Sequence, residues 1–448
     1  MSGALLDLLS DVLERARGKG ATEADAFVVE DQSFSAQVRM GQVDTVKHAR
    51  DQHLALRVFV GRSSAAASTS DLSRDSLGRL VDEAVTLARI TAPDPLSGLA
   101  DPAALARGTR DLGLDDPHGH DLAPEDKIDL ARRCEAAALA FDARITNSEG
   151  GDFGDGHARY AYATSHGFAG DYRSSSFSLS ASPLAAANGE MQRDGWYHVT
   201  RKRAELDAPE TIGRTAAQRA LRRLGARRVK TAEVPVIFDP QMAATLIRHI
   251  AGAASGPSLY RGASFLLDRL GETIAAPSVT IVDDGTRPGG LGSRPFDGEG
   301  LPTQRTVLVD RGVLTSYLLD SYSGRKLGLP STHHAARDGS GVTVSTTNLY
   351  LAPGEISPDA LIRSVKSGLY VTELIGFGVN GVTGDYSRGA VGLWIENGEL
   401  AYPVEEITVA GNLLEMFRAV EGVGNDLVFR DRTAAPTLLI GRMVVAGD

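Results

Sequence analysis

The chain has 448 residues, too many for one ordinary hydrophobic core, so two or three domains are expected. Its 42% hydrophobic and 23% charged residues are the balance of a soluble globular protein, and no run of about 18 apolar residues offers a membrane-spanning helix. The formal net charge of −10 argues against a broad nucleic-acid surface, and the single cysteine, Cys134, excludes an intrachain disulfide and fits a reducing, cytoplasmic setting.

The start of the chain lacks a basic region and soon carries Asp7 and Asp11, so it reads as an amphipathic helix rather than a signal peptide. Leu5, Leu8, Leu9, Val12 and Leu13 mark its apolar stripe. Short strands are expected at 26–29, 33–39, 43–48 and 53–60, with Met40-Gly41-Gln42 as a hairpin turn. A second helix over 73–90 carries Leu77, Leu80, Val81, Ala84, Val85 and Ala88 on one face, with Ser73 placed to cap it. Residues 1–95 thus form a small α+β domain. The stretch 96–123, rich in Pro, Asp and Gly, reads as a linker. A middle α+β domain over 124–228 follows, with a helix at 124–141 opening on proline, strands within 145–182 and a helix at 209–224. The arginine-rich run 214–230 keeps helical spacing and reads as a solvated face.

From 229 to 448 β-structure dominates. A strand at 234–238 leads into a helix at 240–251. Strands are expected at 279–282, 306–309, 313–319, 342–351 and 369–374, with a turn at Asp310-Arg311-Gly312. Residues 437–445 are placed to close a sheet or barrel. The fold class expected is therefore α+β and multidomain: small N-terminal α+β units, then a β-rich, barrel-like or sandwich-like C-terminal domain.

The stretch 381–404 carries the most information. Its second half is a hairpin, 393–396 and 399–404, about Asn397-Gly398, a pair suited to a type I′ turn. Its first half is a glycine-bracketed loop, Gly384 to Gly389, carrying Asp385, Tyr386, Ser387 and Arg388. Such a loop on a rigid hairpin suits a binding surface; it equally suits a tight connection whose Asp and Arg pair with each other. Phosphate-loop and Gly-x-Ser-x-Gly signatures are absent, and Ser387 has no histidine near it in sequence. His333 and His334 are adjacent and point different ways. With His48, His53, His118, His120 and the acid pairs Asp283-Asp284 and Glu405-Glu406, they read as surface or structural residues.

Taken together, several segments resemble the TldD/PmbA family, in its PmbA (TldE) branch. They are Ser258-Leu-Tyr-Arg-Gly-Ala-Ser-Phe-Leu-Leu-Asp268, Pro295-Phe-Asp-Gly-Glu-Gly300, Ser321-Tyr-Ser-Gly-Arg-Lys-Leu-Gly328, the Gly384–Gly389 segment, and Glu406-Ile-Thr-Val-Ala-Gly-Asn412. The match is dense from about residue 235 onward. TldD-type members carry His-Glu-x-x-x-His on a helix, the histidines binding zinc and the glutamate serving as base, with a further cysteine ligand near the C-terminus. The matching helix here has His249, with Ile250 in the glutamate's place and Ala254 in that of the second histidine, and no cysteine follows Cys134. The resemblance therefore implies a chain without its own zinc: the non-catalytic subunit of a two-subunit zinc metallopeptidase, with zinc in a TldD-like partner. It further implies small or unfolded peptides as substrates, among them microcin precursors and unstructured antitoxins, and a link to modulation of DNA gyrase. Within it, Gly384–Gly389 would face the shared chamber, Arg388 pairing with a peptide carboxylate, Asp385 orienting it and Tyr386 stacking on a side chain. Extended peptide could also add to a free strand edge. Two other readings stay open: a stand-alone metal-dependent hydrolase with a divergent site using His249, His333 or His334, and a non-enzymatic homodimeric scaffold.

Overall fold

A computed structural model describes residues 3–339 and 341–447. Helix α1 (Gly3–Gly18) buries Leu5, Leu9, Val12 and Ala16, the stripe its sequence spacing dictates. Two long strands follow, β1 (Glu23–Arg39) and β2 (Gln42–Val60), then β3 (Ser63–Thr69). Met40 and Gly41 both take positive φ, +50° and +75°, as a two-residue hairpin turn requires. Helix α2 (Arg74–Ile90) is capped by the Ser73 oxygen, which accepts the Ser76 N–H.

The four short strands expected between 26 and 60 are in fact these two continuous ones. One face of β1 buries Ala24, Ala26 and Val28 beneath α1 and α2, then Phe34, Ala36 and Val38 beneath a second helical layer. Glu30 and Gln32 lie in the gap between the two layers. The polar interruption in the sequence marks a gap in the covering helices, not a break in the strand.

The second layer is α3 (Pro124–Leu139) with α4 (Pro209–Leu221). The two pack so closely that a Cβ on Gly213 would sit 2.1 Å from the Cys134 carbonyl oxygen. Cys134 is buried with them, and burial pushes its thiol up to about 12, so it stays protonated and inert. The strands of this part are β4 (Ile145–Thr164), β5 (Ala169–Ala187), β6 (Glu190–Arg193) and β7 (Trp196–Thr200). The sheet runs β3-β2-β1-β4-β5-β6, with β7 also on β5. Antiparallel pairing of β1 with β4, from Asp25 opposite Thr164 to Val38 opposite Gly151, makes it continuous across the first two units.

The connecting stretch is pinned rather than slack. The Arg325 guanidinium donates to the carbonyls of Leu96, Gly98 and Leu99 at 2.7, 2.8 and 3.2 Å.

The C-terminal part begins with β8 (Ala232–Phe238), α5 (Pro240–Ala253) and α6 (Gly256–Tyr260). Then come β9 (Ile281–Asp284), β10 (Arg305–Asp310), β11 (Val313–Leu314), α7 (Ser321–Leu327), β12 (Ala335–Asp338), β13 (Gly341–Val344) and β14 (Leu349–Leu351). The remainder is α8 (Pro358–Ser364), β15 (Ser367–Ile375), β16 (Asp385–Glu396), β17 (Glu399–Asn412), α9 (Leu413–Arg418), β18 (Val420–Val423), β19 (Thr433–Ala434) and β20 (Leu438–Ala446). Strands β17-β16-β15-β8-β20 follow one another, and β20 pairs back onto β17, closing a barrel; β18 extends it beside β20. A second sheet, β11-β10-β9-β14-β19, half-encloses the other side of α5. The barrel-like expectation for this domain holds. The strands expected at 313–319 and 342–351 are shorter or split: β11 ends at Leu314, and β13 and β14 are separated where the Thr347 N–H and hydroxyl turn to the Asp283 carboxylate.

Candidate functional site

Helix α5 is set by Asp239, whose carboxylate accepts the Met242 N–H at 2.9 Å. Its core face carries Leu246, Ile247 and Ile250. The opposite side presents Arg248 and His249 to a cleft of about 360 Å³, walled also by Phe265, Phe377, Val379 and Arg388.

Arg388 does not come from a loop. Asp385 to Arg388 are the first residues of β16, paired with Asn412 to Val409 of β17. On the other side the Ser387 N–H donates to the Gly378 carbonyl at 2.7 Å. That approach requires glycine, since a Cβ on Gly378 would lie 1.9 Å from the Ser387 carbonyl oxygen. Of the two glycines read as loop brackets, Gly389 lies within β16 opposite Ile375 of β15, and Gly384 takes a φ of +83° just before the strand begins.

Strand alternation then sorts the side chains. Tyr386 and Arg388 point inward, Tyr386 buried and Arg388 half-buried, while Asp385 and Ser387 are exposed. Asp385 and Arg388 therefore do not pair with each other. The Asp385 carboxylate accepts from Thr383 Oγ1 at 2.6 Å and Asn412 Nδ2 at 3.3 Å, and these bonds hold its pKa below the usual carboxylate value. Arg388 donates through Nη2 to the Leu374 carbonyl at 3.1 Å.

Tyr386 packs edge-on against His249, ring centroids 6.2 Å apart. Burial, then the charges of Arg388 and Arg248, lower the His249 pKa, so the imidazole is neutral at pH 7. Burial raises the Tyr386 hydroxyl, which stays protonated. His249 Nε2, Tyr386 Oη and Arg388 Nε are all buried without a hydrogen-bond partner. Each such atom costs about 1–3 kcal/mol where it stays unpaired; here the Arg388 guanidinium lies near enough to the Tyr386 hydroxyl to oppose part of the effect of burial. Phe377, between Gly376 and Gly378, is 101% exposed at the rim; its Gly-Phe-Gly setting is the one sequence signal that flags it.

The other histidines lie elsewhere. The ring of His334 is buried, with Nε2 at 3.1 Å from Asp283 and Nδ1 at 2.9 Å from Thr332 Oγ1. His333 turns away, Nδ1 at 2.7 Å from the Pro302 carbonyl. Neither lines the His249 cleft.

Residues 231–447 match the PmbA/TldA metallopeptidase C-terminal domain, 117–224 its central domain and 24–88 its domain 1. The chain is 41% identical over 444 residues to the metalloprotease PmbA of Escherichia coli O157:H7, covering 99% of this chain and 96% of that one. The chain belongs to the PmbA/TldD metallopeptidase family. A PmbA homologue of Haemophilus influenzae is 38% identical over the same length, again covering 99% of this chain and 96% of its relative. Among solved structures, a protein from Bacteroides thetaiotaomicron, described as a candidate modulator of DNA gyrase, superimposes with a TM-score of 0.92. It is 30% identical, over 99% of this chain and 98% of that one. TldE from Thermococcus kodakarensis, at 20% identity and a TM-score of 0.89 over 98% of this chain and 100% of its own, shares the fold.

The metallopeptidase family implies a metal, and the residues around His249 do not fit one. Ile250 and Ala254, one helical turn apart, are 1% and 0% exposed and belong to the apolar core. Among the described residues no group of three or more His, Cys, Asp or Glu is placed to hold a metal ion. The cleft instead offers one neutral imidazole beside two guanidinium groups, and those positive charges oppose a divalent cation.

Proposed function

We propose that this chain is the non-catalytic, TldE-like subunit of a cytoplasmic two-subunit zinc metallopeptidase that cleaves small or unfolded peptides. A TldD-like partner supplies the zinc, and the His249 cleft faces the shared chamber. The observation that carries this reading is the donor set. A peptidase family retains the fold here, while the helix that would carry zinc ligands offers His249, a buried Ile250 and a buried Ala254.

Arg388, His249 and Tyr386 fit one role, that of holding a peptide carboxylate. The guanidinium supplies charge-assisted hydrogen bonding through Nε. The protonated Tyr386 hydroxyl and the imidazole add neutral donors. The Phe377 ring supplies apolar contact at the rim. Asp385 faces the other side of the strand, so it acts on this site only by fixing the start of β16 through Thr383 and Asn412. Peptide does not add as a strand beside Asp385–Arg388, because β17 and the Gly378 segment occupy both edges.

The test is elemental analysis of the purified chain, with hydrolysis of an unfolded peptide measured with and without a TldD-like chain. A chain free of stoichiometric zinc that supports hydrolysis only with its partner is the expected result. Stoichiometric zinc and activity alone would establish a stand-alone hydrolase. No effect on a TldD-like chain would leave the homodimeric scaffold.

A further inference from the structure

A second cavity, of about 550 Å³, lies where the N-terminal sheet meets the C-terminal part. Its floor is the sheet face opposite α1–α4. Phe27, Tyr160 and Tyr172 form a row across β1, β4 and β5: Phe27 and Tyr160 stack with centroids 6.2 Å apart, Tyr160 and Tyr172 at 4.8 Å. Phe296, from the other side, meets Tyr172 edge-on at 5.5 Å. The wall carries Arg201, Arg294 and Arg337, with Arg432 beside them.

These arginines are not equivalent. Arg201 is engaged with the carbonyls of Ser175, Gly290 and Leu291. Arg337 is 5% exposed in its side chain, and it is held by Asp25 at 2.6 Å and by the Gly298 carbonyl at 2.7 Å, yet its Nη1 has no partner. Arg294 leaves both Nε and Nη2 buried and unpartnered. Three guanidinium nitrogens, on two side chains that line the cavity, thus stand buried without an acceptor.

The acids at the junction accept no hydrogen bond from these three nitrogens. Asp25 is taken by Arg57, Arg337 and Tyr162. Asp297 lines the cavity, but its oxygens accept the backbone N–H groups of Glu299, Leu301 and Ala335 at 2.9, 3.0 and 3.2 Å. Burial, and then the Glu299 charge, raise its pKa, while the Arg294 charge opposes that rise.

We propose that this junction pocket binds an organic oxyanion joined to a flat ring, the oxyanion on Arg294 and Arg337 and the ring on the Tyr160–Tyr172–Phe296 surface. Guanidinium groups match carboxylate and phosphate oxygens in their fork geometry, and aromatic walls favour a planar partner through offset and edge-on contacts. The anion is either a phosphate ester or a carboxylate; both present the same oxygen pattern to the two arginines. This site is separate from the His249 cleft, and it requires neither a partner chain nor peptide turnover.

The experiment is calorimetric titration of the full chain with phenyl phosphate, phenylacetate and inorganic phosphate. The ring-bearing anion binds about tenfold tighter than inorganic phosphate, the gain expected of one well-packed aromatic contact. The tighter of the two ring-bearing probes identifies the oxyanion. Arg294→Gln weakens its binding at least about tenfold, as loss of a charge-assisted pair requires, and Arg294→Lys retains part of it. Because Arg294 Nε and Nη2 support nothing else in the fold, circular dichroism of both variants matches the parent. No binding of either ring-bearing anion, or equal binding by the parent and Arg294→Gln, overturns the proposal.

Discussion

Arg388 fixes itself to the Leu374 carbonyl with one nitrogen and keeps another free beside His249 and Tyr386. Its replacement by alanine is therefore expected to act on substrate more than on folding. In a pair reconstituted with a TldD-like chain, Arg388→Ala lowers kcat/KM for an unfolded peptide about tenfold or more, while zinc bound per complex stays constant. Unchanged turnover would remove Arg388 from the site. Asp25 makes the opposite kind of contribution. Burial would raise its pKa, but the Arg337 and Arg57 guanidiniums outweigh that and hold it at about 2, against 3.8 when unfolded. A depressed carboxylate pKa gives stability that is present above about pH 4 and lost as pH falls towards 2, here about 2 kcal/mol. Asp25→Asn leaves two guanidiniums without their acid and costs about 3 kcal/mol or more at pH 7. Its remaining stability then declines less steeply between pH 4 and pH 2 than the parent's. Urea unfolding at pH 7, 4 and 2.5 measures both effects.

Among the elements, α5 decides what chemistry the chain can hold. Ile250→Glu with Ala254→His would write the His-Glu-x-x-x-His pattern expected of a TldD-like chain into α5, but both positions face the core. The double variant is expected to lose about 3 kcal/mol or more and to gain no stoichiometric zinc; elemental analysis of any folded fraction decides it. The Gly378–Ser387 approach makes a second case. Gly378→Ala forces the 375–379 segment away from β16 and moves Phe377 with it. A loss of about 1–3 kcal/mol in thermal unfolding, with a raised KM for peptide, is the expected signature.

Much of this element layout was legible in the sequence. Apolar periodicity placed α1 and α2, and Ser73 and Pro124 marked where α2 and α3 begin. The Asn397-Gly398 turn is present, with φ of +52° and +83°. What local pattern did not reveal was pairing. The polar centre of β1 hid a continuous strand, and Gly389, which pairs with Ile375 of β15 inside the sheet, looked like a loop residue. At the site, His249 and Arg388 were legible as single residues. Their meeting with Phe377 was not, since it joins a helix, a strand and a loop far apart in the chain. The Asp25–Arg337 junction is further still from any local signal.

At the scale of the whole molecule, the first two sequence units share one sheet; Asp25, Arg57 and Tyr162 of that sheet hold Arg337 of the C-terminal part, and Arg325 of the same part holds the stretch that follows α2. Calorimetry of the parent is expected to give one endotherm spanning the sheet and the barrel. Arg337→Met separates it into two, because the buried link is lost while each core is intact.

The closed barrel also sets a timetable. Val236, Ile237 and Phe238 of β8 are fully buried, lying between β15 and β20, with Val236 opposite both Leu369 and Ile440. Neither neighbour exists when β8 leaves the ribosome. At about 5–20 residues per second, β8 waits ten seconds or more for β20 to be made. Over that interval its apolar row has no permanent cover. The demand this protein places on chaperones therefore falls in the second half of its synthesis, after the N-terminal sheet has all its strands.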